Sequence, residues 1–378
     1  MIRVEKEYKE KPYTSKAFDL YFGGLSLAVL DIETTGLSPQ RANFILGGLS
    51  TYDNQSGSRK LIQLFAEEKS EEKLLLKEYL AEISKHDILI TYNGKHFDLN
   101  FLRRRLDLCG LDFKELTGFT DFPYNLDLYL VLNGYSPLRK LLPNLKQKSV
   151  EDFFGLWSLR HDEISGGESA ELYTRYLSCK AQEKRSSSTA ETAESAKAAK
   201  VTEIARLRDL MLLHNADDVM QLGRLVKSIE KSDFHKAMQK LGFPAGKNAE
   251  LLVSSIEFGR DYLKISGKQR KIPKDYAAYP GNDREFFVLF DSASTTFEVS
   301  LPLRRQAGLA FVDLTKIWRD GESNSGKPNG SKCPWEALTR YPRCQSGFLV
   351  LQQASQTYYL ETNHFVKLLL NDLPFVKL

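Results

Sequence analysis

The stretch LAVLDIETTG, residues 27–36, places two carboxylates two positions apart at the end of an apolar run. Branched apolar residues that lead to a glycine predict a strand that runs into a turn. Side chains at positions i and i+2 of a strand point to the same face, so we expect Asp31 and Glu33 to lie side by side. Two bare charges about 5 Å apart repel by roughly 3 kcal/mol at an effective dielectric of about 20. The sequence therefore implies that something neutralises this pair.

The residues that follow alternate between strand and helix patterns. We predict strands over 24–34, 44–53, 59–68 and 87–94, and helices over 70–85, 97–110 and, as one or two helices, 201–231. Ser70 is expected to cap the first of these helices, and Gly110 to end the second. This order of elements predicts an α/β fold with a mixed sheet flanked by helices.

The later part of the chain has a different pattern. From about residue 245 the apolar residues alternate with a period of two, which predicts a small antiparallel β-rich domain over 245–378 that ends in a short helix. The first domain is expected to occupy residues 1–235. Within it, AQEKRSSSTAETAESAKAAK (181–200) is small, polar and repetitive, and it is interpreted as a flexible insertion.

Composition limits the classes of protein. The 378 residues are 42% hydrophobic and 27% charged, as in an ordinary soluble globular protein. No apolar stretch approaches the roughly 18–20 residues that span a membrane, and the first residues lack the apolar core of a secretory signal. The four cysteines form no CxxC pair, so reduced thiols and a cytoplasmic location are expected. Residues 231–378 carry 21 Lys and Arg against 15 Asp and Glu, which favours contact with a polyanion.

Two later stretches add polar residues of the same kind. In TYNGKHFDLNFL (91–102), Asp98 follows a strand and stands in the first turn of a helix. In HNADD (214–218), His214 lies three and four positions before two aspartates, a spacing that shares a helix face. Each feature alone is also compatible with a solvated acid, a helix-terminal charge or a partly buried histidine.

Taken together, these carboxylates predict a site for Mg²⁺ or Mn²⁺, since such hard ions favour oxygen ligands. Two of these ions about 4 Å apart can hold the attacking and leaving oxygens of a phosphoryl transfer. Bound ions would also neutralise the repulsion between Asp31 and Glu33.

Three motifs in this order resemble those of the DEDD 3′–5′ exonucleases, which have a ribonuclease H-like fold: DIETTG (31–36), NGKHFD (93–98) and HNADD (214–218). The third departs from the HxAxxD form, because Val219 stands five positions after His214. The YxxxD spacing instead selects Asp218, with His214 in the place of the tyrosine.

HNxxD is similar to the third motif of the bacterial YprB-type ribonuclease H-like branch. The segments LPNLKQKSVEDFFGL (142–156) and HDEISGGESAELYTRYL (161–177) are similar to the connecting segments of that branch. The resemblance covers residues 24–230, and it gives no role to the β-rich domain.

The resemblance implies four carboxylates around two Mg²⁺ or Mn²⁺ ions. Asp31 is expected to bind both ions, and Glu33 and Asp218 to complete one of the two sites. Asp98 is expected to bind the second ion through water. His214 is expected to orient or deprotonate the attacking water as a general base, for which its ordinary pKa near 6.5 is suitable.

The resemblance also implies contacts with the substrate. Thr34 and Thr35 are expected to meet the 3′-terminal nucleotide through their side chains and backbone N–H groups. Asn93 is expected to contact the strand. Asp217, the other acid of the third motif, is expected to face solvent.

The implied function is a metal-dependent 3′–5′ exonuclease that acts on a single-stranded 3′ end, most directly of DNA, in repair or processing. An exoribonuclease is an alternative, because nothing in these motifs senses the 2′-OH. A structure-specific endonuclease and a nucleic-acid-binding protein with a relict site are two others. The sequence names no protein partner and no membrane contact.

Overall fold

The structure is a computed structural model, and it describes residues 1–53, 57–162, 164, 166–187, 194–271, 273–278, 286–317 and 334–373. For residues 166, 186–187, 194–200 and 334 it describes the backbone alone. The central part of the predicted flexible insertion, residues 188–193, lies outside the described residues. The residues on each side of it, 181–187 and 194–200, are helical.

The strands, numbered along the chain, are Ile2–Tyr8 (β1), Leu27–Thr34 (β2), Phe44–Asp53 (β3), Ser58–Phe65 (β4), Ile88–Thr91 (β5), Tyr124–Asp127 (β6), Phe243–Ala245 (β7), Leu251–Phe258 (β8), Tyr262–Gln269 (β9), Tyr276–Ala278 (β10), Phe287–Asp291 (β11), Thr296–Pro302 (β12), Arg304–Gln306 (β13), Leu309–Asp313 (β14), Cys344–Gln345 (β15), Phe348–Gln353 (β16) and Gln356–Thr357 (β17).

The α-helices are Lys16–Phe22 (α1), Glu72–Ile83 (α2), Asp98–Leu108 (α3), Phe113–Thr117 (α4), Leu128–Tyr135 (α5), Leu138–Leu141 (α6), Gln147–Phe153 (α7), Gly166–Ser187 (α8), Glu194–Leu225 (α9), Phe234–Leu241 (α10), Leu314–Ile317 (α11) and Tyr359–Asp372 (α12). Short 3₁₀ helices are formed by Lys69–Glu71, Trp157–Leu159, Val226–Lys231, Lys247–Ala249 and Pro334–Leu338. None of the helices within the described residues has the length and apolar character needed to cross a membrane.

The described chain divides into two compact units. The first contains Met1–Thr14, Ser26–Gly118 and Asn125–Ser232, and the second contains Ser15–Leu25, Phe119–Tyr124 and Asp233–Leu378. The domain limits expected from the sequence, 1–235 and 245–378, stay a prediction about domain organisation.

The first unit is built on a six-stranded mixed sheet in the order β1-β4-β3-β2-β5-β6. The strands β1, β4, β3 and β2 pair antiparallel in turn, and β5 runs parallel to β2. β2 therefore lies in the interior of the sheet, where Ala28, Val29 and Leu30 are buried. The predicted α/β fold with a mixed sheet is confirmed.

Helices cover both faces of this sheet, and two neighbouring glycines of β3 show how closely they approach. A Cβ atom on Gly47 would overlap the ring of Tyr79 in α2. A Cβ atom on Gly48 would overlap Oδ1 of Asn215 in α9. Because consecutive strand residues face opposite sides, α2 and α9 pack on opposite faces, each at a position where only glycine leaves room.

The predicted strands of the first unit correspond to β2, β3, β4 and β5, and the predicted helices to α2, α3 and the end of α9. Gly110 adopts a φ of 60° just after α3, which is the expected way for a glycine to end a helix. The prediction for Ser70 is wrong. It lies inside the 3₁₀ helix Lys69–Glu71, and α2 begins without a side-chain cap.

Sequence analysis missed β1, β6, α1, the short helices α4 to α7 and the long helix α8. β1 (IRVEKEY) is mostly exposed or half-buried, and it pairs with β4 alone at the edge of the sheet. Charged side chains are typical of edge strands, and here they hide the strand from a search for apolar periodicity.

The second unit contains two antiparallel sheets, in the orders β10-β11-β12-β9-β8-β7 and β13-β14-β16-β15, with β17 paired to β16. The first of these sheets contains the hairpins β8–β9 and β11–β12. Helix α1 also belongs to this unit, where the Tyr21 hydroxyl contacts Nδ1 of His235 at 2.8 Å and accepts from Asn363 Nδ2 at 2.8 Å. The predicted antiparallel, β-rich character of this part of the chain is confirmed.

Candidate active site

Strand β2 carries Asp31 and Glu33, the two carboxylates of the first motif. Asp31 pairs with Gly48 of β3, and Glu33 pairs with Leu46, so both side chains point to the face covered by α9. The small partner Gly48 leaves room there for α9 to approach. Glu33 is buried and Asp31 is half-buried.

Helix α3 brings a third carboxylate to this place. Asp98 is the first residue of α3, as predicted, and it is buried. Its Oδ1 accepts a hydrogen bond of 3.2 Å from the backbone N–H of Ile32, which lies between Asp31 and Glu33 in the strand. This bond fixes the Asp98 carboxylate against the backbone of β2.

Helix α9 supplies the remaining groups. Asn215 donates through Nδ2 to Oδ2 of Asp31 at 3.0 Å. Nε2 of His214 lies 3.6 Å from Oε1 of Glu33 and 3.4 Å from Oδ2 of Asp218. The structure thus brings together the five residues that were predicted to be catalytic, from three separate segments of the chain.

Three charged residues that sequence analysis missed lie behind this group. Nδ1 of His214 contacts Oδ2 of Asp162 at 2.5 Å. Arg160 donates through Nη1 to Oδ1 of Asp162 at 2.5 Å and through Nε to Oε2 of Glu151 at 2.7 Å. Nη2 of Arg160 also donates to Oδ1 of Asp218. The buried guanidinium therefore ties together three carboxylates, one of which belongs to the predicted site.

The other acid of the third motif has a different role. Asp217 is only 7% exposed, and its Oδ2 accepts from the backbone N–H groups of His161 at 2.5 Å and Asp162 at 2.8 Å. The expectation that Asp217 faces solvent is wrong. Asp217 therefore fastens to α9 the loop that contains Arg160 and Asp162.

Thr34 and Thr35, two of the three residues predicted to contact substrate, form hydrogen bonds within the protein. The Thr34 hydroxyl donates to the carbonyl of Gly36 at 2.8 Å, and that of Thr35 accepts from the backbone N–H of Asn43 at 2.8 Å. The N–H of Thr35 donates to the carbonyl of Asn43 at 3.0 Å. These groups form the turn after β2, and their contact with substrate stays a prediction.

Asn93 lies in a cavity of about 590 Å³. The wall of this cavity also contains aromatic and basic side chains, which are those of Tyr92, Tyr129, Arg139 and Lys146. Gln147, which lines it too, donates through Nε2 to the carbonyl of Asp218 at 3.1 Å and so links the cavity wall to α9.

Burial, with a further contribution from neighbouring charges, raises the pKa values of Asp31, Glu33 and Asp98. Burial raises the pKa of Asp31 well above its ordinary value, and the charges of Asp218, Asp98 and Glu33 add to this effect. Burial also raises the pKa of Glu33 to about 8, against the opposing effect of His214, and that of Asp98 to about 7. Without a bound cation, these three groups therefore hold a proton more readily than ordinary carboxyls do.

The pKa values of His214 and of its buried partner Asp162 are shifted in opposite directions. Burial lowers the pKa of His214, but the hydrogen bond to Asp162 and the charges of Asp218 and Glu33 raise it by more, so that the net pKa is raised. Burial acts to raise the pKa of Asp162, yet His214 and Arg160 hold it well below its ordinary value.

The residues present fit a divalent cation. Three donor atoms, one each from Glu33, His214 and Asp218, lie within 4.8 Å of one another. Nε2 of His214 is buried and has no hydrogen-bond partner within the described part of the chain. Carboxylates that repel one another, together with a buried donor atom that lacks a partner, are the features expected of a metal site.

The raised pKa values predict how pH affects the stability of the metal-free protein. A carboxyl whose pKa is raised by folding contributes to stability while it is protonated. This contribution is complete at pH values below the pKa of the group in the unfolded chain, which is about 4. This contribution is lost as pH rises through the folded values, about 8 for Glu33 and about 7 for Asp98. The raised pKa of His214 acts in the same direction. In EDTA, the melting temperature should therefore fall between about pH 5 and pH 9.

Differential scanning calorimetry in EDTA and in Mn²⁺ would measure this effect. We expect Mn²⁺ to raise the melting temperature more at pH 9 than at pH 6, because the ion binds the deprotonated carboxylates. The double variant Glu33→Gln, Asp98→Asn should show a flatter dependence on pH. A melting temperature that rises with pH in the EDTA-treated wild type would contradict the prediction.

The mixed sheet and its flanking helices define a fold of the ribonuclease H type. A family model described as RNase_H superfamily matches residues 28–230, and the chain belongs to this superfamily. Comparison with curated proteins finds no match.

Two solved structures show some similarity to the chain. One is the family B DNA polymerase from the hyperthermophilic archaeon Pyrobaculum calidifontis, with 14% identity, a TM-score of 0.36, and coverage of 67% of this chain and 33% of that one. The other is an ExoI/SSB-Ct complex, with 10% identity, a TM-score of 0.29, and coverage of 64% and 55%. The chain thus spans about a third and about half of the lengths of these two proteins.

Proposed function

We propose that the chain is a metal-dependent 3′–5′ exonuclease that hydrolyses phosphodiester bonds of nucleic acid from a single-stranded 3′ end. DNA is the substrate that we propose. The observation that carries the proposal is the convergence of Asp31, Glu33, Asp98 and Asp218 on one side of β2, next to His214. Burial raises the pKa values of Asp31, Glu33 and Asp98, and the charges of neighbouring carboxylates add to this effect, so these groups are costly to ionise unless cations are bound.

The four carboxylates would hold two divalent ions, Mg²⁺ or Mn²⁺. When bound, such ions supply the positive charge that holds the attacking and leaving oxygens of an in-line displacement. The protein holds three of the four acids in place through hydrogen bonds. Asn215 holds Asp31, the N–H of Ile32 holds Asp98, and Arg160 holds Asp218. Acids held in this way lose little freedom when they bind their ligand.

The cavity beside Asn93 supports a role in substrate binding. Aromatic side chains combined with basic ones bind single strands, by stacking and by contact with phosphates. Tyr92 and Tyr129 supply the rings, and Arg139 and Lys146 supply the positive charges. We propose that the strand passes along this wall, where Asn93 and Gln147 add hydrogen-bonding groups.

A nuclease assay on defined substrates tests the proposal. The substrates are linear DNA and RNA, single- and double-stranded and labelled at the 5′ end, and circular single-stranded DNA, each in Mg²⁺, Mn²⁺ or EDTA. We expect a metal-dependent ladder of products that shorten from the 3′ end, with the circle left intact. Asp98→Asn should abolish the ladder, because the amide keeps an acceptor for the N–H of Ile32 but loses the charge.

Asp107→Asn is the matched control, since Asp107 lies on the same helix with 68% of its side chain exposed. Cleavage of the circle would replace the exonuclease with an endonuclease, and release of the 5′ label as a mononucleotide without a ladder would overturn the polarity. A ladder with RNA alone would make the chain an exoribonuclease. Binding without cleavage in every metal would indicate a nucleic-acid-binding protein with a relict site.

A further inference from the structure

The imidazole of His214 is held in an unusual environment. Only 1% of its side chain is exposed, and Nδ1 is engaged by Asp162 at 2.5 Å. Nε2 has no hydrogen-bond partner among the described residues. A buried nitrogen without a partner is costly, so an unoccupied donor atom that faces a carboxylate cluster points to a missing ligand.

The distances around Nε2 suit direct binding to an ion. Nε2 lies 3.4 Å from Oδ2 of Asp218 and 3.6 Å from Oε1 of Glu33. Two donor atoms that each bind one ion at about 2.1 Å are roughly 3.0–3.5 Å apart at the usual coordination angles. Small adjustments of these three side chains would therefore place them around a single cation.

Arg160 limits what Asp218 can offer. Its Nη2 donates to Oδ1 of Asp218, which leaves Oδ2 on the side of His214 and Glu33. An aspartate used in this way supplies one ligand atom instead of two. The nitrogen of His214 stands where a further donor is then needed.

Asp162 completes the arrangement from behind. A carboxylate that accepts from Nδ1 of a histidine holds the proton on that nitrogen and turns the lone pair of Nε2 outward, as in many metal sites. Arg160 and Lys148 in turn hold Asp162, at 2.5 Å and 3.4 Å. The orientation of the imidazole is thus set by a buried network instead of by solvent.

We propose that His214 binds a divalent ion directly through Nε2, together with Glu33 and Asp218, and that Asp162 is its positioning residue. This inference rests on the proposed metal-dependent function, and it replaces the role of general base that the sequence predicts for His214. A nitrogen donor favours Mn²⁺ and other first-row transition ions over Mg²⁺, which prefers oxygen. The site is therefore expected to be selective for Mn²⁺.

Pulsed electron paramagnetic resonance of the full chain with one equivalent of Mn²⁺ tests this inference directly. A bound imidazole nitrogen gives a ¹⁴N coupling in the electron spin-echo envelope modulation, and labelling with ¹⁵N-histidine changes that coupling in a defined way. The wild-type spectrum alone shows whether a histidine binds the ion, even if a variant fails to fold, and the variants assign which histidine it is. His214→Gln should remove the coupling, whereas His161→Gln, at an exposed histidine nearby, should keep it.

Isothermal titration calorimetry would measure the selectivity of the site for Mn²⁺ over Mg²⁺. His214→Gln should weaken Mn²⁺ binding by at least about 10–100-fold and change Mg²⁺ binding much less. Asp162→Asn should weaken Mn²⁺ binding by about 10-fold while the ¹⁴N coupling is retained, which separates a positioning residue from a ligand. Mn²⁺ bound without ¹⁴N coupling would overturn the inference and leave the proposed function intact. Failure to bind Mn²⁺ at all would overturn both.

Discussion

Asp31→Asn is expected to reduce the nuclease rate by at least about 1,000-fold, because Asp31 is the acid assigned to both ions. The change keeps the volume of the side chain and an oxygen that can accept from Asn215. At the same time it removes a carboxyl group whose pKa is raised well above its ordinary value and whose ionisation therefore opposes folding. We therefore expect the metal-free variant to melt at a higher temperature than the wild type at pH 8, a gain in stability at the expense of activity.

Initial rates on 5′-labelled single-stranded DNA in Mn²⁺, beside melting curves in EDTA, measure both effects. Asp107→Asn makes the same chemical change at an exposed position and should leave rate and melting temperature unchanged. Substrate binding, measured by fluorescence anisotropy, should change little. A variant that cleaves at the wild-type rate would disprove the assignment of the site.

Arg160→Met should lower the free energy of unfolding by about 3–5 kcal/mol, because it leaves buried carboxylates without their counter-ion. The side chains of Arg160 and Asp162 are each 2% exposed, and that of Glu151 is fully buried. The rate should also fall by about 100-fold, since Asp218 and Asp162 lose the group that fixes their positions.

Denaturant unfolding and the same rate assay would test this, with Arg104→Met as the control at an exposed surface pair. Arg160→Lys should recover only part of the loss, because a single ammonium group cannot replace three guanidinium nitrogens that each contact a different carboxylate. If Arg160→Met were as stable as Arg104→Met, the buried network would have no structural importance.

Local patterns in the sequence predict much of the first unit. Asp31 and Glu33 stand on a strand with strong apolar character, so the period of two alone is enough to place them on one face. Asp98 and His214 belong to helices with recognisable periodicity, and the order of the three motifs relates these helices to the strand. The elements of the sheet were predictable for the same reason, except for the charged edge strand β1 and the short strand β6.

The charged residues behind the site, Arg160, Asp162 and Glu151, could not be predicted in this way. Arg160 and Asp162 lie in a loop without periodicity, and their partners are set by the packing of α9 and not by their neighbours in the sequence. The burial of Asp217 is also a tertiary effect, since its carboxylate accepts from that same loop. The available signals were the alternating charges in LRHDE (159–163) and the resemblance of segments 142–156 and 161–177 to the YprB-type branch.

The long separation between β2 and α9 also has a consequence for the newly made chain. Asn215 and Asp31 are 184 positions apart, and α9 is the helix that covers the acidic edge of the sheet. While the chain emerges from the ribosome, Asp31, Glu33 and Asp98 are made long before His214 and Asp218. The complete acidic group therefore cannot form until nearly all of the first unit has been made.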